Sequence, residues 1–457
     1  MSILQLQAKD TVVRINDTDA VNCVQSFNWD SAMNAEQLSQ LGDANYDAQT
    51  IQPEVTAQFE VRATGALSTL LSRMVYSYDV DGEFVPPSAS NTKVIHEVDM
   101  ERAVFDLIEA KKANEVFDRS TLIPRAHLRS FSVSARSDGN ATESFTAEAD
   151  LLEIYRKPLH DLRSVPVVRD VAGTPETTVI VPTTYTVESH ATIAGAAWKI
   201  QALDIDGVRV AAADLDVTSD PGGDIVTLGT AAQAAGVTIP IGARTHLIIY
   251  KKTPGAFPSI VYPTSARFVK ADHINLWLVD TAATFSFTAG ANTYTAQTVA
   301  QILAQNGGVD FNAIPFSAAD LFLRVQSAEM TVDLQREALR EIRKNDRGNS
   351  IYYRAARFPL NVSCQMSAFE TDLNDWAKVQ GKNLMGSATP DILDLAGFEN
   401  KTWMVVMRYY KGNTAIQTIG LLNARVDGAG QRVSVGGRAE QTWNMTGSEV
   451  VVQGANV

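Results

Sequence analysis

The sequence predicts a mainly β chain of β-sandwich or barrel type with flanking helices. It is built as two tandem copies of one fold with a small β-sandwich inserted between them. Three observations lead there. Apolar residues alternate with period two in many short runs. Ordered stations of the first third return about three hundred residues later. The middle stretch has no such partner, and its short strands are separated by Gly-containing turns.

The 457 residues suggest about three domains, and 45% hydrophobic residues are enough to bury cores. A net charge of −13 argues against a chain that grips nucleic acid, since phosphate binding needs Lys and Arg. Two cysteines, Cys23 and Cys364, exclude a disulfide scaffold and read as core residues in strand-like runs. The opening "MSILQLQAKD" has no basic segment followed by an apolar one, so no signal peptide is expected. No apolar run reaches the ~20 residues of a membrane span, so no membrane partner is expected either.

In chain order, "KDTVVRIND" is a strand, and "VQSFNWDSAMNAEQLSQL" (24–41) is a strand running into an acidic, leucine-bearing segment. "VTAQFEVRATGALSTLLSRM" (55–74) alternates through Val55, Ala57, Phe59, Val61 and Ala63. Gly65 breaks it, and Leu67, Leu70 and Leu71 begin a short helix. Residues 99–117 carry Val104, Leu107, Ile108 and Val116 at helical spacing and predict a helix. "FSVSARSDGNA" is a strand and turn, and "ATESFTAEADLLEIY" (141–155) is an aromatic-bearing strand, a kink and an apolar strand. These form the first copy, residues 1–157.

The second copy spans 270–457. "ADHINLWLVD" answers the first strand, followed by about forty extra residues. A shift of 301 places "VQSFNW" on "VQSAEM", with Val-Gln-Ser identical. A shift of 303 places Val55 to Ala63 on Phe358, Leu360, Val362, Cys364 and Met366. "LLNARVDGAGQ" supplies a Gly-rich turn, and "AEQTWNMTGSEVVVQ" (439–453) matches 141–155. A shorter helix is expected at "SATPDILDLAGF", with Pro390 near its start.

Between them, residues 158–269 predict an immunoglobulin-like β-sandwich, with turns at Asp206-Gly207 and Pro221-Gly222-Gly223. "GVTIPIGARTHLIIYKK" reads as two more strands. Pro158, Pro166 and Pro175 on one side, and Pro254, Pro258 and Pro263 on the other, read as linkers that let the insert stand away from the body.

No catalytic constellation is evident. The six histidines are scattered, and no nucleophile elbow, phosphate loop or Cys/His cluster is present. The aspartates 204, 206, 214, 216, 220 and 224 could hold Ca²⁺ but read more simply as solvated hairpin tips. No cofactor and no enzymatic activity are expected.

Two equivalent loops differ in charge. Residues 41–54 carry Asp43, Asp47 and Glu54. Residues 343–357 carry Arg343, Lys344, Arg347, Arg354 and Arg357 against Asp346. Opposite signs suit alternate placement round a ring, making these residues candidates for contacts between subunits. Independent drift of two solvated loops explains them as well. By segment the net charges are −10, −2 and −1, so the first copy is the acidic one.

The stations "VQSAEMTVDLQREALREIRKND…YYRAARFPLNVSCQMSAF" and "VQSFNWDSAMNAEQLSQLGDANYDAQTIQPEVTAQFEVRA" resemble the body of bacteriophage tail tube proteins. The resemblance covers about 340 residues across both copies. It implies a structural virion protein whose folds close six to a ring around a β-barrel channel, with rings stacked into a tube. With two folds per chain, a homotrimer would supply a pseudo-hexameric ring. It further implies an acidic lumen for DNA and tape-measure protein, tail terminator and distal tail proteins as partners, assembly in host cytoplasm, and an outward-facing insert. The insert departs from the family in lying between the copies. A multi-domain β binding protein, a fibre or adhesin recognising surface glycans, is the alternative.

Overall fold

The computed structural model describes residues 11–454 apart from 19–20, 22, 39–46, 65–66, 88–93, 114–115, 138, 157–159, 175, 190–192, 254–268, 270–272, 306–309, 318–320, 322–324, 345–349, 356–359, 370–401 and 433–439. The fold is mainly β. The first part contains β1 (Thr11–Ile15), β2 (Val24–Leu38), β3 (Asp47–Arg62), α1 (Leu67–Met74), β4 (Ser77–Tyr78), β5 (Phe84–Val85), β6 (Val94–His96), α2 (Glu97–Met100), β7 (Val104–Ala113), β8 (Val116–Arg136), β9 (Thr142–Ala149) and β10 (Glu153–Arg156). The middle contains β11 (His160–Pro166), β12 (Val168–Arg169), β13 (Thr178–Ile180), β14 (Val187–Glu188), β15 (Trp198–Ile205), β16 (Val208–Ala211), β17 (Leu215–Thr218), β18 (Ile225–Leu228), α3 (Thr230–Ala234) and β19 (Thr245–Lys251). The last part contains β20 (Ile274–Asp280), β21 (Thr284–Ala289), β22 (Asn292–Thr298), α4 (Val299–Ala304), β23 (Val325–Asp333), β24 (Glu337–Lys344), β25 (Ser350–Ala355), β26 (Asn361–Phe369), β27 (Trp403–Lys411), β28 (Thr414–Arg432), β29 (Glu440–Gly447) and β30 (Glu449–Gly454).

Two repeats are written in the strand pairing. In the first, β2-β3-β9-β8 lie side by side; β8 then pairs β7 and β10, and β7 pairs β1. In the second, β23-β26-β29-β28 lie side by side; β28 pairs β27 and β30, and β27 pairs β20. Even the irregularities recur. Bulges fall between Phe105 and Leu107, Lys111 and Lys112, and Leu128 and Ser130. Their counterparts, each 298 residues on, lie between Trp403 and Val405, Tyr409 and Tyr410, and Val426 and Gly428. Arg125 and Asn423, also 298 apart, both have φ above +50°. A bulge costs pairing and re-aims a strand, so a set of matching bulges is a specific signature.

The shift of 301 at Val-Gln-Ser agrees with the registers, since Val24 opposes Val61 as Val325 opposes Ala368. The shift of 298 between 141–155 and 439–453 agrees as well. The shift of 303 does not. Phe59 faces Phe145, and Met366 faces Trp443, so Phe59 corresponds to Met366 and the shift is 307. The error of four is even, so the buried face was right and the register wrong. "VDGAG" is not a turn either: it lies inside β28, at the bulge before Gly428.

Residues 99–117 are not a helix but the end of α2 and the hairpin β7–β8. Both faces of this outer sheet are covered, so Val104, Phe105, Leu107 and Ile108 are all buried. Apolar residues on both faces erase the period-two signal. The helix at 67–74 is as expected, with Leu67, Leu70 and Leu71 buried in the main core. The expected helix at 387–398 lies outside the described residues.

The main core lies between the long sheet and the outer sheets, and Cys364 is part of it. Residues 160–251 form two sheets, β11-β19-β15-β14 with β16, and β12-β13-β18-β17, around a separate core. Asp206 and Gly207 make the β15–β16 turn with φ of 47° and 88°, the left-handed pair such a hairpin needs. Of "GVTIPIGARTHLIIYKK", only Thr245–Lys251 is a strand.

The insert does not stand away from the body. Leu162 and Ile248 pack on Ile108 and Leu122 of the outer sheet. The corresponding outer face in the second repeat is capped by the extra residues after β20, whose Tyr294, Ile302, Phe311 and Ile314 share a core with Trp277 and Val406. Each repeat thus carries its own cap over the same face.

Candidate functional site, an assembly interface

The two repeats join edge to edge. β8 pairs β23 antiparallel, from Ser327 opposite Arg136 to Asp333 opposite Ser130. Eight strands therefore run in one sheet, in the order β2-β3-β9-β8-β23-β26-β29-β28. Its outer edges are β2 and the 425–432 half of β28. Among the described residues neither has a strand on its far side. They are the repeat counterparts of the two strands that make the joint: β2 corresponds to β23, and this half of β28 to the end of β8.

Burial separates the made joint from the open one. At the joint, Ala328 and Met330 are 3% and 0% exposed, and Leu128 and Phe131 0% and 1%. Their counterparts Phe27, Trp29, Val426 and Ala429 are only half-buried against the same core. Covering such side chains is worth roughly 25 cal/mol per Å² of apolar surface.

One face of this sheet is apolar and the other polar. The rows Val61-Glu143-Val133-Met330-Cys364-Met445 and Phe59-Phe145-Phe131-Val332-Val362 turn into the core. Between and beside them lie Glu60-Ser144-Ser132-Thr331-Ser363-Thr446, Gln58-Thr146-Ser130-Asp333-Asn361 and Arg62-Thr142-Ser134-Glu329-Gln365-Asn444. These three rows contain no apolar side chain, and hydroxyls and amides dominate them. A solvated face of that kind makes neither a hydrophobic docking surface nor a cationic grip on phosphate.

Glu143 is the exception among the inward rows. It is 0% exposed and faces Gln417 and Tyr409 of the second repeat. Burial pushes its pKa up to about 8, eased only in part by the Gln417 side chain and the Leu67 backbone. Gln441 occupies the equivalent position in the second repeat, where the same register places an uncharged amide.

A Ser-His-Asp grouping does occur, where the insert meets β7. Ser164 Oγ lies 3.0 Å from His246 Nδ1 and donates to Asp106, which also pairs with Arg244. Asp106 Oδ1 accepts from the Arg125 amide at 2.8 Å, and Arg14 pairs with Asp161 at 2.6 Å nearby. Burial alone would raise the Asp106 pKa, but Arg244, His246 and the Ser164 hydroxyl hold it well below the usual range. Burial and the Arg244 charge lower that of His246, leaving the imidazole neutral. Asp106, Ser164 and His246 are 0–1% exposed, so no substrate reaches the hydroxyl. This is a polar weld between insert and body, and Ser164 spends its proton on the carboxylate rather than on the histidine.

Of the six candidate Ca²⁺-binding aspartates, Asp204, Asp220 and Asp224 are occupied by backbone amides, the first two in turns. Asp204 accepts from Gly207 N at 3.1 Å, Asp220 from Gly222 N at 2.7 Å, and Asp224 from Val187 N at 2.8 Å. No group of three or more metal-ligating side chains occurs among the described residues.

The described residues of the charged segments at 41–54 and 343–357 are strand rather than loop. Asp47 and Glu54 lie in β3, Arg343 and Lys344 in β24, and Arg354 in β25. Asp43, Arg347 and Arg357 lie outside the described residues. Composition misled here, because polar strands that extend past a sheet look like loops. The edge residues Phe27, Val426 and Ala429 were missed, whereas Trp29 reads from its strand pattern as a core or interface residue. The signal available was the repeat itself, which sets Trp29 on Met330.

No protein-family model matches the chain, and no curated protein does. Three solved structures are similar to parts of it. The anti-feeding prophage cap (AFP tube terminating cap) is 9% identical with a TM-score of 0.19, over 41% of this chain and 91% of that one. The sheath-tube complex of an extracellular contractile injection system (PVC), in the extended state, gives 11% identity and a TM-score of 0.20, over 35% and 99%. The anti-feeding prophage (AFP) baseplate, 6-fold symmetrised, gives 10% and 0.23, over 40% and 95%. TM-scores this far below 0.5 carry no functional conclusion.

Proposed function

We propose that this chain is a structural subunit of a tail-type tube. Three chains close a ring of six repeats, and rings stack. Residues 1–157 and 270–457 act as the two tube folds, and 158–269 as an inserted domain on the outer side. The observation that carries this reading is that the open edges of the eight-stranded sheet, β28 and β2, are the two halves of a joint made once already inside the chain. Head-to-tail association through them repeats the β8–β23 pairing, and a heterologous contact that closes gives a ring. Closure removes the strand edges that would otherwise invite aggregation.

The polar rows then face the channel. In place of the acidic lumen expected, these rows carry mainly hydroxyls and amides, with Glu60, Glu329 and Asp333 against Arg62, which suits the passage of DNA and a tape-measure protein without retaining either. The hairpins β2–β3 and β24–β25, with Asp43, Asp47, Glu54, Arg343, Lys344, Arg347, Arg354 and Arg357, are proposed for contacts between subunits and rings. Terminator and distal proteins would cap the ends, and the particle would be a phage-like virion tail.

Electron microscopy of the purified protein tests this. End-on views with a central hole, six lobes and three-fold symmetry are expected. Phe27→Asp and Val426→Asp should each abolish rings while the monomer stays folded by circular dichroism, with some loss of melting temperature because both side chains pack in part against the core. Compact monomers of the unaltered chain under assembly conditions would sink the proposal and favour the glycan-binding alternative.

A further inference from the structure

The chain also contains one completed example of a second, smaller joint. β6 of the first repeat adds antiparallel to β30 of the second, with His96, Ile95 and Val94 opposite Val451, Val452 and Gln453. Val452 is 0% exposed there, in the same core as Leu67 and Leu71 of α1. β10 is the counterpart of β30. Glu153 opposes Leu122 as Val451 opposes Gly420, and Ile154 opposes Thr121 as Val452 opposes Ile419. Yet β10 pairs with β8 alone among the described strands, and Ile154, in the place of Val452, is 52% exposed.

Beside β10 is a cleft of about 430 Å³. Glu153, Ile154 and Tyr155 form one wall, and Gln201, Arg209 and Ala211 of the insert form the other. Tyr155 and Arg209 both bond to Glu153, which fixes the floor of the cleft beside the aliphatic side chain.

We propose that this cleft and strand edge take a strand from a second copy of this chain, namely the stretch joining Phe369 to Trp403. That stretch is the sequence counterpart of the one joining β3 to β7, from which β6 comes. The direction is consistent. The first repeat reaches over the repeat on its β8 side, so the second reaches over whatever lies on its β28 side. The insert thereby gains a role: its β15–β16 hairpin is one wall of the joint between chains. The inference rests on the ring reading and adds the partner segment.

The experiment replaces Ile154 by the photo-crosslinking residue p-benzoylphenylalanine. After illumination of assembled protein, a cross-linked peptide from residues 370–402 of another chain is expected. A cross-link within the same chain, to any other peptide, or none in assembled rings overturns the inference. As a second measurement, Ile154→Lys should raise the protein concentration needed for assembly by about tenfold or more, as for loss of one buried aliphatic side chain. Ile154→Val should not, and neither should shift monomer melting. If Ile154→Lys assembles like the unaltered chain, the slot is not used. A 154-to-370–402 cross-link between chains that never form rings would keep the slot and discard the ring. Neither cross-link nor ring discards both.

Discussion

At the scale of the residue, Glu143 is the most exposed to test. Its carboxyl stays neutral in the folded chain up to about pH 8, against an ordinary value of 4.5. The folded state therefore holds a proton that the unfolded state has released. Stability from this group is full below pH 4.5, falls between 4.5 and about 8, and is flat above. The slope is at most about 1.4 kcal/mol per pH unit. Glu143→Gln, the residue type found at position 441, should flatten that slope. Denaturant melts at pH 5 and pH 9 should differ less for the variant, with the gain at pH 9. The Asp106 weld makes the opposite kind of prediction. Asp106→Ala leaves Arg244 buried with its main partner gone and should cost about 3–5 kcal/mol in urea unfolding, whereas the pair replacement Asp106→Leu with Arg244→Met should cost far less. None of these groups was legible beforehand. Asp106, Ser164 and His246 are 58 to 140 residues apart and meet only because the insert folds back on β7.

At the scale of the element, strand phase was legible and register was not. Sliding β26 against β3 by four residues leaves every apolar position on the same face, so alternation alone accepts 303 as readily as 307. Only bulges and cross-strand partners decide, and those need coordinates. The misread helix at 99–117 failed for a related reason: a strand covered on both faces has no empty face to betray its period. The caps also leave their mark on single positions. Leu122 packs toward the insert, while its counterpart Gly420 makes room for Phe311, whose ring would stand 2.7 Å from a Cβ there. Gly420→Ala should therefore cost about 1–3 kcal/mol by calorimetry, and the loss should be regained in part by Phe311→Leu.

At the scale of the whole molecule, the duplication was legible and the way its halves fit was not. Order and spacing of stations announced two repeats. They did not announce that the repeats share one sheet, or that the insert is welded on rather than tethered. The shared sheet has a kinetic and arithmetic consequence. In the proposed ring, one of every two lateral contacts would be formed within a single polypeptide, at the high effective concentration of a covalent tether rather than at the concentration of free protein. A ring of three chains makes three contacts between chains where one of six separate subunits makes six. Growth is confined to steps of two repeats, so a closed circle of odd repeat number cannot be built from this chain. The internal and external contacts need fit only their own partners, leaving β8 and β23 free to diverge from β28 and β2 as long as each still fits its own neighbour.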